Sequence, residues 1–172
     1  MTFHPKMPYE TGLHESARQQ PDQGAPFAFT PERRARLEEI AARYPPERRR
    51  SALLPALYLV QHQQGYVSAR AMEHVADVIG VTPAEVEDVV TYYTMFYAQP
   101  VGTYVVQVCR TLSCALNGAE RVVDVLSRKL GVAPGQTDAS GMFTLMEVEC
   151  LGACDRGPVV AVNEHWHELV TP

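Results

Sequence analysis

All four cysteines of the 172-residue chain lie in two close pairs, so their thiolates are the side chains best placed to do chemistry. Four residues separate Cys109 from Cys114, three separate Cys150 from Cys154, and 35 lie between the pairs. Thiolates bind soft metal ions and iron–sulfur clusters. Each pair is close enough to hold one metal ion or one edge of a cluster. The spacing therefore predicts one centre that all four cysteines share.

Three kinds of four-cysteine site can be compared with this spacing. Structural zinc sites also use four thiolates, but their pairs typically lie about two to four residues apart on compact turns. Plant-type ferredoxins differ too, because three of their ligands share one loop. Disulfides need an oxidising compartment, and the N-terminus MTFHPKMPYETGLHE lacks the apolar core of a secretory signal. We therefore predict a [2Fe–2S] cluster in a reducing cytosol, with zinc as the main alternative and disulfides as a weaker one.

The composition is that of an ordinary globular protein with an acidic balance. Apolar residues make up 46% of the chain and charged residues 20%, and the net charge is −5. This charge gives no electrostatic reason to bind nucleic acid or an anionic membrane surface. The longest apolar run, from Ala52 to Val60, is far shorter than a membrane span and contains Pro55. The composition therefore favours protein or small-molecule partners, with no nucleic acid and no direct membrane insertion.

The first half of the chain has the pattern of a helical bundle. Residues 1–29 are rich in Pro, Gly, Gln and charge without a sustained apolar period, which predicts a flexible N-terminal arm. Over residues 30–98 apolar side chains recur at helical spacing, including a helix expected from about Arg48 to Gln63. The clearest helix start is Thr82-Pro83-Ala84-Glu85, a capping box with Pro at the first helical position. Residues 30–98 are therefore predicted to form a helical domain.

The second half changes to a strand pattern and carries the cysteines. Strands are expected over residues 103–108, 142–149, 159–162 and 165–170, the last two as a hairpin. The first two strands run into Cys109 and Cys150. Between them, Asn117 and Glu120 are expected to start a helix that packs on the sheet. The fold class predicted for the whole chain is α+β, with a mixed sheet and packed helices in residues 99–172.

Several of these segments resemble one known family. The segments CRTLSC and ECLGAC, the gap between them, FYAQPVG upstream and the Gly-Pro after Cys154 resemble the small thioredoxin-like [2Fe–2S] subunit of NADH:quinone oxidoreductase, respiratory complex I. The likeness runs from about Pro31 to the end of the chain. It implies a helical N-terminal domain, a thioredoxin-like α/β domain, and a cluster held by Cys109, Cys114, Cys150 and Cys154. Relatives commonly continue into a C-terminal helix, whereas this sequence stops at Pro172.

The resemblance also implies a function within a larger complex. The chain would be an electron-transfer subunit of the NADH dehydrogenase module, exchanging single electrons with FMN on a partner flavoprotein subunit that also binds NADH. Other iron–sulfur subunits of the peripheral arm would be further partners. The expected location is cytoplasmic, in that arm on the cytoplasmic face of the inner membrane. Two alternatives stay open: the equivalent subunit of an NAD-linked formate dehydrogenase or hydrogenase, and a stand-alone [2Fe–2S] or zinc protein.

The rest of the sequence is not expected to form a complete active site. No Gly-x-Gly-x-x-Gly motif and no phosphate loop occurs in the sequence, so FMN and NADH are expected on the partner only. The chain would then belong to an oxidoreductase only as a subunit. Arg110 and Arg156 flank the cysteine motifs and could offset the charge of a reduced cluster. The histidines His62, His74, His165 and His167 lack a matching set of partners and are predicted to be surface or interface residues without a catalytic role.

Overall fold

The computed structural model describes residues 26–172, which divide into two compact units, residues 26–100 and Val101–Pro172. The first unit is helical and the second has a sheet with helices packed on it, so the predicted α+β fold class is confirmed. Most of the predicted flexible arm, residues 1–25, lies outside the described residues. The C-terminal end of this segment differs from the prediction of a flexible arm, because Phe29 is buried in the hydrophobic core of the first unit. Among residues 26–172, no helix has the length and apolarity needed to cross a bilayer.

The helical unit is built from elements whose starts the sequence marks clearly. Its elements are α1 (Pro31–Ala41), a 3₁₀ helix (Pro46–Ala52), α2 (Leu53–Gln64), α3 (Ala69–Ile79) and α4 (Pro83–Tyr92). The predicted capping box at α4 is confirmed. Thr82 Oγ1 accepts from the Glu85 N–H, and Glu85 Oε2 accepts from the Thr82 N–H at 2.9 Å. These bonds satisfy donors that the first helical turn leaves free, so they fix where α4 begins.

The second predicted helix is divided into two elements in the structure. A 3₁₀ helix precedes α2, and Arg48 within it has non-helical angles, φ −111° and ψ 18°. Pro55 is the third residue of α2, within the first turn, where its missing N–H removes no helical bond. The unit's core is made of apolar side chains from all these helices and the segment after α4. Fully buried members include Leu37, Ala52, Leu57, Val60, Val75, Val86, Val90 and Phe96.

His74 on α3 packs against two aromatic rings that precede α1. Its imidazole centroid lies 5.6 Å from that of Phe27 and 5.3 Å from that of Phe29, both in edge-to-face geometry. Burial lowers the pKa of His74 below its usual value of 6.5, and the nearby Arg34 charge lowers it further, whereas Asp77 acts in the opposite direction. The folded unit therefore holds His74 preferentially in its neutral form.

We predict that acidification destabilises the helical unit through His74. Because the folded pKa lies below the unfolded one, the unfolded chain binds more protons, and stability is full above about pH 6.5 and falls as pH drops through the folded pKa. The effect of this side chain should be less than about 1 kcal/mol. Thermal unfolding of wild type and His74→Gln at pH 7.5 and 5.5 measures it, with His167→Gln as control. An equal loss of stability in wild type and His74→Gln would contradict the prediction.

The second unit is a five-stranded mixed sheet with two helices. Its elements are β1 (Tyr104–Cys109), α5 (Leu112–Leu116), α6 (Ala119–Leu130), β2 (Gln136–Thr137), β3 (Phe143–Val148), a 3₁₀ turn (Cys154–Arg156), β4 (Val160–Val162) and β5 (His165–His167). The strand order is β2-β3-β1-β4-β5, in which β1 and β3 are parallel and the other neighbours antiparallel. The predicted hairpin is thus present but shorter, and β2 lies where the sequence predicted only a loop.

The predicted start of the sheet-packing helix at Asn117 is wrong, because Asn117 ends a separate short helix that precedes it. A short helix, α5, occupies the segment around Cys114, and Asn117 closes it by donating from Nδ2 to the Ser113 carbonyl at 2.7 Å. The next helix, α6, begins after Gly118, whose φ of 94° reverses the chain. Only glycine adopts that conformation at low cost, so the break falls there. From α6, Val122 and Val123 pack into the same core as Val108 and Leu145 of the sheet.

Candidate iron–sulfur site

The two central parallel strands bring the cysteine pairs to one edge of the sheet. Cys109 is the last residue of β1 and lies opposite Val148, the last residue of β3. Cys150 follows β3 by two positions. Parallel neighbouring strands end at the same sheet edge, so the segments that carry Cys114 and Cys154 also start there. This topology explains how pairs separated by 35 residues come together.

The two pairs differ in exposure. Cys109 and Cys114 are each only 1% exposed, whereas Cys150 and Cys154 are exposed, and all four are free thiols. The first pair belongs to the core beneath the sheet edge, in contact with residues such as Val159. The site therefore has a buried inner side and an outer side that faces solvent in this chain.

The second pair is held by a tight turn of small residues. The Cys150 and Cys154 Sγ atoms are 3.3 Å apart, and the Gly152 N–H donates to Cys150 Sγ at 3.3 Å. Gly152 has a φ of 88°, which a residue with a side chain rarely adopts. That conformation lets the backbone N–H approach the sulfur. A Cβ at this position would lie 3.9 Å from the ring of Trp166 on β5.

Backbone and side-chain donors from both loops point at the buried sulfurs. Burial opposes ionisation of Cys109, but hydrogen bonds from the Thr111 hydroxyl and the Leu151 and Thr111 N–H groups outweigh it, so the pKa of Cys109 is lowered. Burial, together with a hydrogen bond shared with Cys109, raises the pKa of Cys114 to about 11. Leu151 lies between the cysteines of the second pair, so the second loop stabilises negative charge on a cysteine of the first.

The exposed pair shows the same division between its two thiols. The Gly152 N–H, with help from Cys154, lowers the pKa of Cys150. The hydrogen bond that Cys154 shares with Cys150 raises the pKa of Cys154, and the Cys150 charge adds to this. In each pair, then, the pKa of one thiol is lowered and the pKa of its neighbour is raised. Binding of a metal centre to all four sulfurs must release the protons that remain.

Two polar contacts join the loops that carry the cysteines. Arg110 Nη2 lies 2.5 Å from Glu149 Oε1, which connects the residue after Cys109 to the residue before Cys150. Ser113 Oγ donates to the Cys154 carbonyl at 2.5 Å. The role expected for Arg110 and Arg156 therefore changes. Arg110 pairs with Glu149, and Arg156 pairs with Glu168 at 2.9 Å. Each carboxylate neutralises its guanidinium, so less net positive charge faces a reduced centre.

The donor set fits an iron–sulfur cluster chemically. Four sulfurs are supplied by two loops, and N–H donors from Gly152, Leu151 and Thr111 are aimed at two of them. Clusters of this type need thiolate ligands and are tuned by hydrogen bonds to sulfur. Gly157 lies so close to Cys114 that a Cβ there would be 3.2 Å from the Cys114 Sγ. Among the described residues, no three His, Cys, Asp or Glu side chains are grouped as a single metal ion would require.

Sequence reasoning placed the four cysteines but missed several of their neighbours. Thr111, Leu151 and Gly157 all contact the cysteine sulfurs. Thr111 directly precedes the helix that carries Cys114, and threonine at such a position is a sequence signal of a helix start. Of the predicted non-catalytic histidines, His165 and His167 are exposed on β5, and His62 and His74 belong to the helical unit.

Comparison with known proteins identifies the family. The model of the thioredoxin-like [2Fe–2S] ferredoxins matches residues 37–172, most of the chain. The chain belongs to this ferredoxin family. The fold, with its helical first part and its sheet carrying two cysteine loops, is thus that of a thioredoxin-like [2Fe–2S] ferredoxin.

Three relatives of this ferredoxin are named as parts of NADH-oxidising enzymes. It is 45% identical over 136 residues to "NADH-quinone oxidoreductase subunit 2" of Thermus thermophilus, covering 78% of this chain and 75% of the relative. It is 41% identical over 134 residues to an NADH-quinone oxidoreductase subunit of Rhizobium meliloti, covering 78% and 79%. It is 42% identical over 147 residues to "NADH dehydrogenase [ubiquinone] flavoprotein 2, mitochondrial" of Dictyostelium discoideum, covering 85% of this chain but only 60% of that protein.

A solved structure shares the fold at much lower sequence identity. The NAD⁺-reducing [NiFe]-hydrogenase in its H₂-reduced state superposes with a TM-score of 0.58 and 17% identity. The match covers 67% of this chain and 20% of the hydrogenase chain. At this identity the likeness supports the fold alone.

Proposed function

We propose that Cys109, Cys114, Cys150 and Cys154 bind one [2Fe–2S] cluster and that the chain transfers electrons as a subunit of an NADH dehydrogenase complex. The observation that carries the proposal is the meeting of two thiol pairs at the ends of adjacent parallel strands. Two irons with two thiolates each match two loops with two cysteines each. The names of the relatives at 41–45% identity supply the class of complex.

The bound cluster would accept and return one electron at a time. The residues of this chain would stabilise the negative charge that the electron adds. The N–H groups of Gly152 and Leu151 reach Cys150 and Cys109, one thiol in each pair. The buried side around Cys114 would exclude water from the inner sulfurs. The exposed side at Cys150 and Cys154 would leave a short path for electron exchange with a partner.

The partners are proposed from the relatives and from the composition of this chain. The electron donor would be FMN on a flavoprotein subunit that also binds NADH, and further iron–sulfur subunits of the peripheral arm would adjoin it. The complex would lie on the cytoplasmic face of the inner membrane. We retain a helical domain over residues 30–98 and a ferredoxin domain over residues 99–172 as part of the proposal. The two separate hydrophobic cores support this division.

Isolation of the tagged full chain from its native cells tests this assignment. We expect an FMN-containing subunit to co-purify and NADH to reduce the cluster, which electron paramagnetic resonance detects as a new signal. The matched control is Glu164→Gln, an exposed change away from the cysteines that should leave both results unchanged. A cluster-loaded chain that co-purifies without flavin, and that NADH does not reduce, would contradict the proposed complex. A formate dehydrogenase or hydrogenase partner would favour the alternative assembly.

A further inference from the structure

Thr111 occupies the N-cap position of α5 but does not cap that helix. No backbone N–H in the first turn of α5 donates a hydrogen bond to the Thr111 hydroxyl. The helical unit provides the contrast, because the hydroxyls at the N-caps of α1, α3 and α4 each accept a helix N–H. These residues are Thr30, Ser68 and Thr82. The Thr111 hydroxyl therefore makes its contacts elsewhere.

The contacts of that hydroxyl are with cysteine sulfurs. Thr111 Oγ1 lies 3.2 Å from Cys109 Sγ, within hydrogen-bonding distance for sulfur. The Thr111 side chain also helps to lower the pKa of Cys150, in the other pair. A sulfur bound to iron carries no proton, so in the loaded protein the hydroxyl must be the donor. The Thr111 side chain is thus placed to donate to the sulfur of Cys109.

We propose that the Thr111 hydroxyl sets the reduction potential of the cluster by donating a hydrogen bond to the sulfur of Cys109. Reduction adds one electron, and part of the added negative charge resides on the cysteine sulfurs. A donor to sulfur stabilises the reduced form more than the oxidised form and so raises the potential. No bond forms or breaks, and the proton stays on Thr111. This inference rests on the cluster ligation proposed above.

Thr111→Val tests the proposal because it removes the hydroxyl and keeps the branched shape. We expect its cluster to have a more negative midpoint potential, by up to a tenfold change in the reduction equilibrium, or about 59 mV for one electron. Thr111→Ser keeps the hydroxyl and should stay close to wild type. Thr82→Val is the control, because it removes a capping hydroxyl from the helical unit and should not move the potential. The potentials are read from redox titrations of the full chain followed by electron paramagnetic resonance.

Each outcome separates this inference from the proposed function. A wild-type chain that binds no cluster overturns the proposed ligation itself. A loaded Thr111→Val protein with an unchanged potential overturns the role of Thr111 alone. The same holds if Thr111→Ser shifts as far as Thr111→Val, because serine keeps the hydroxyl and the shift then does not depend on it. If Thr111→Val holds no cluster while Thr111→Ser does, the hydroxyl acts in assembly and the proposal is again wrong.

Discussion

Replacing Gly157 with alanine is expected to reduce cluster content strongly while the helical unit stays folded. Gly157 has φ −68° and ψ 152°, an extended conformation that alanine adopts without strain, so the effect is purely steric. A Cβ at this position would lie 3.2 Å from Cys114 Sγ and 3.3 Å from Cys114 Cα. The Cys114 side chain is buried, so neighbouring atoms surround it. Because a close-packed interior does not absorb an extra methyl group freely, cluster content should fall about tenfold.

Iron content and visible absorbance of Gly157→Ala after anaerobic purification give the result directly. Gly65→Ala is the contrasting control, since its Cβ meets open space but its φ of 88° strains the backbone. That strain should cost about 1 to 2 kcal/mol of stability, with the cluster retained. Wild-type iron content in Gly157→Ala would show that Cys114 tolerates the contact and would contradict the steric explanation.

Replacing Gly102 with alanine is expected to destabilise the sheet unit more than any other change considered for this chain. Gly102 is buried, and a Cβ there would lie 2.8 Å from both the backbone carbon and the backbone nitrogen of Phe143 on β3. Backbone atoms of a paired strand cannot rotate away as a side-chain tip can. The Gly102 N–H also donates to the buried Thr144 hydroxyl at 2.7 Å, a bond that displacement would break. Overpacking combined with this loss should cost about 3 kcal/mol or more.

Thermal and urea unfolding of Gly102→Ala would measure this cost. Thr103→Ala is the matched control, because Thr103 is the exposed neighbour in the chain and should change stability by less than about 0.5 kcal/mol. Loss of the cluster is expected to accompany unfolding, because β1 and β3 position both cysteine loops. A Gly102→Ala chain as stable as Thr103→Ala would contradict the contact with β3.

The parts of the fold that sequence predicted well are those with local signals. The capping box of Thr82 and Glu85 depends on neighbours within a few residues. Those local hydrogen bonds survive in the folded chain. Prediction failed where two local signals competed. Asn117 has the sequence of a helix start, but its amide closes α5 while Gly118 supplies the break before α6.

The sequence predicts which residues would be the cluster ligands but not the residues that surround them. The spacing of the four cysteines is visible in the sequence because each pair is local. The interactions of Leu151 with Cys109 and of Gly157 with Cys114 join segments from opposite sides of the sequence gap. They arise from the parallel pairing of β1 with β3 and from β4 beside β1. Such pairings depend on the whole sheet, and no local pattern encodes them.

The measurement that most directly tests cluster binding is electron paramagnetic resonance of the anaerobically purified full chain, before and after dithionite, together with iron and zinc analysis. We predict a red-brown protein with about two irons per chain that bleaches on reduction and gives a rhombic signal. A colourless protein that contains zinc and gives no signal, even after anaerobic reconstitution with iron and sulfide, would contradict this prediction. The four cysteines would then form a structural metal site, and the chain would carry no electrons.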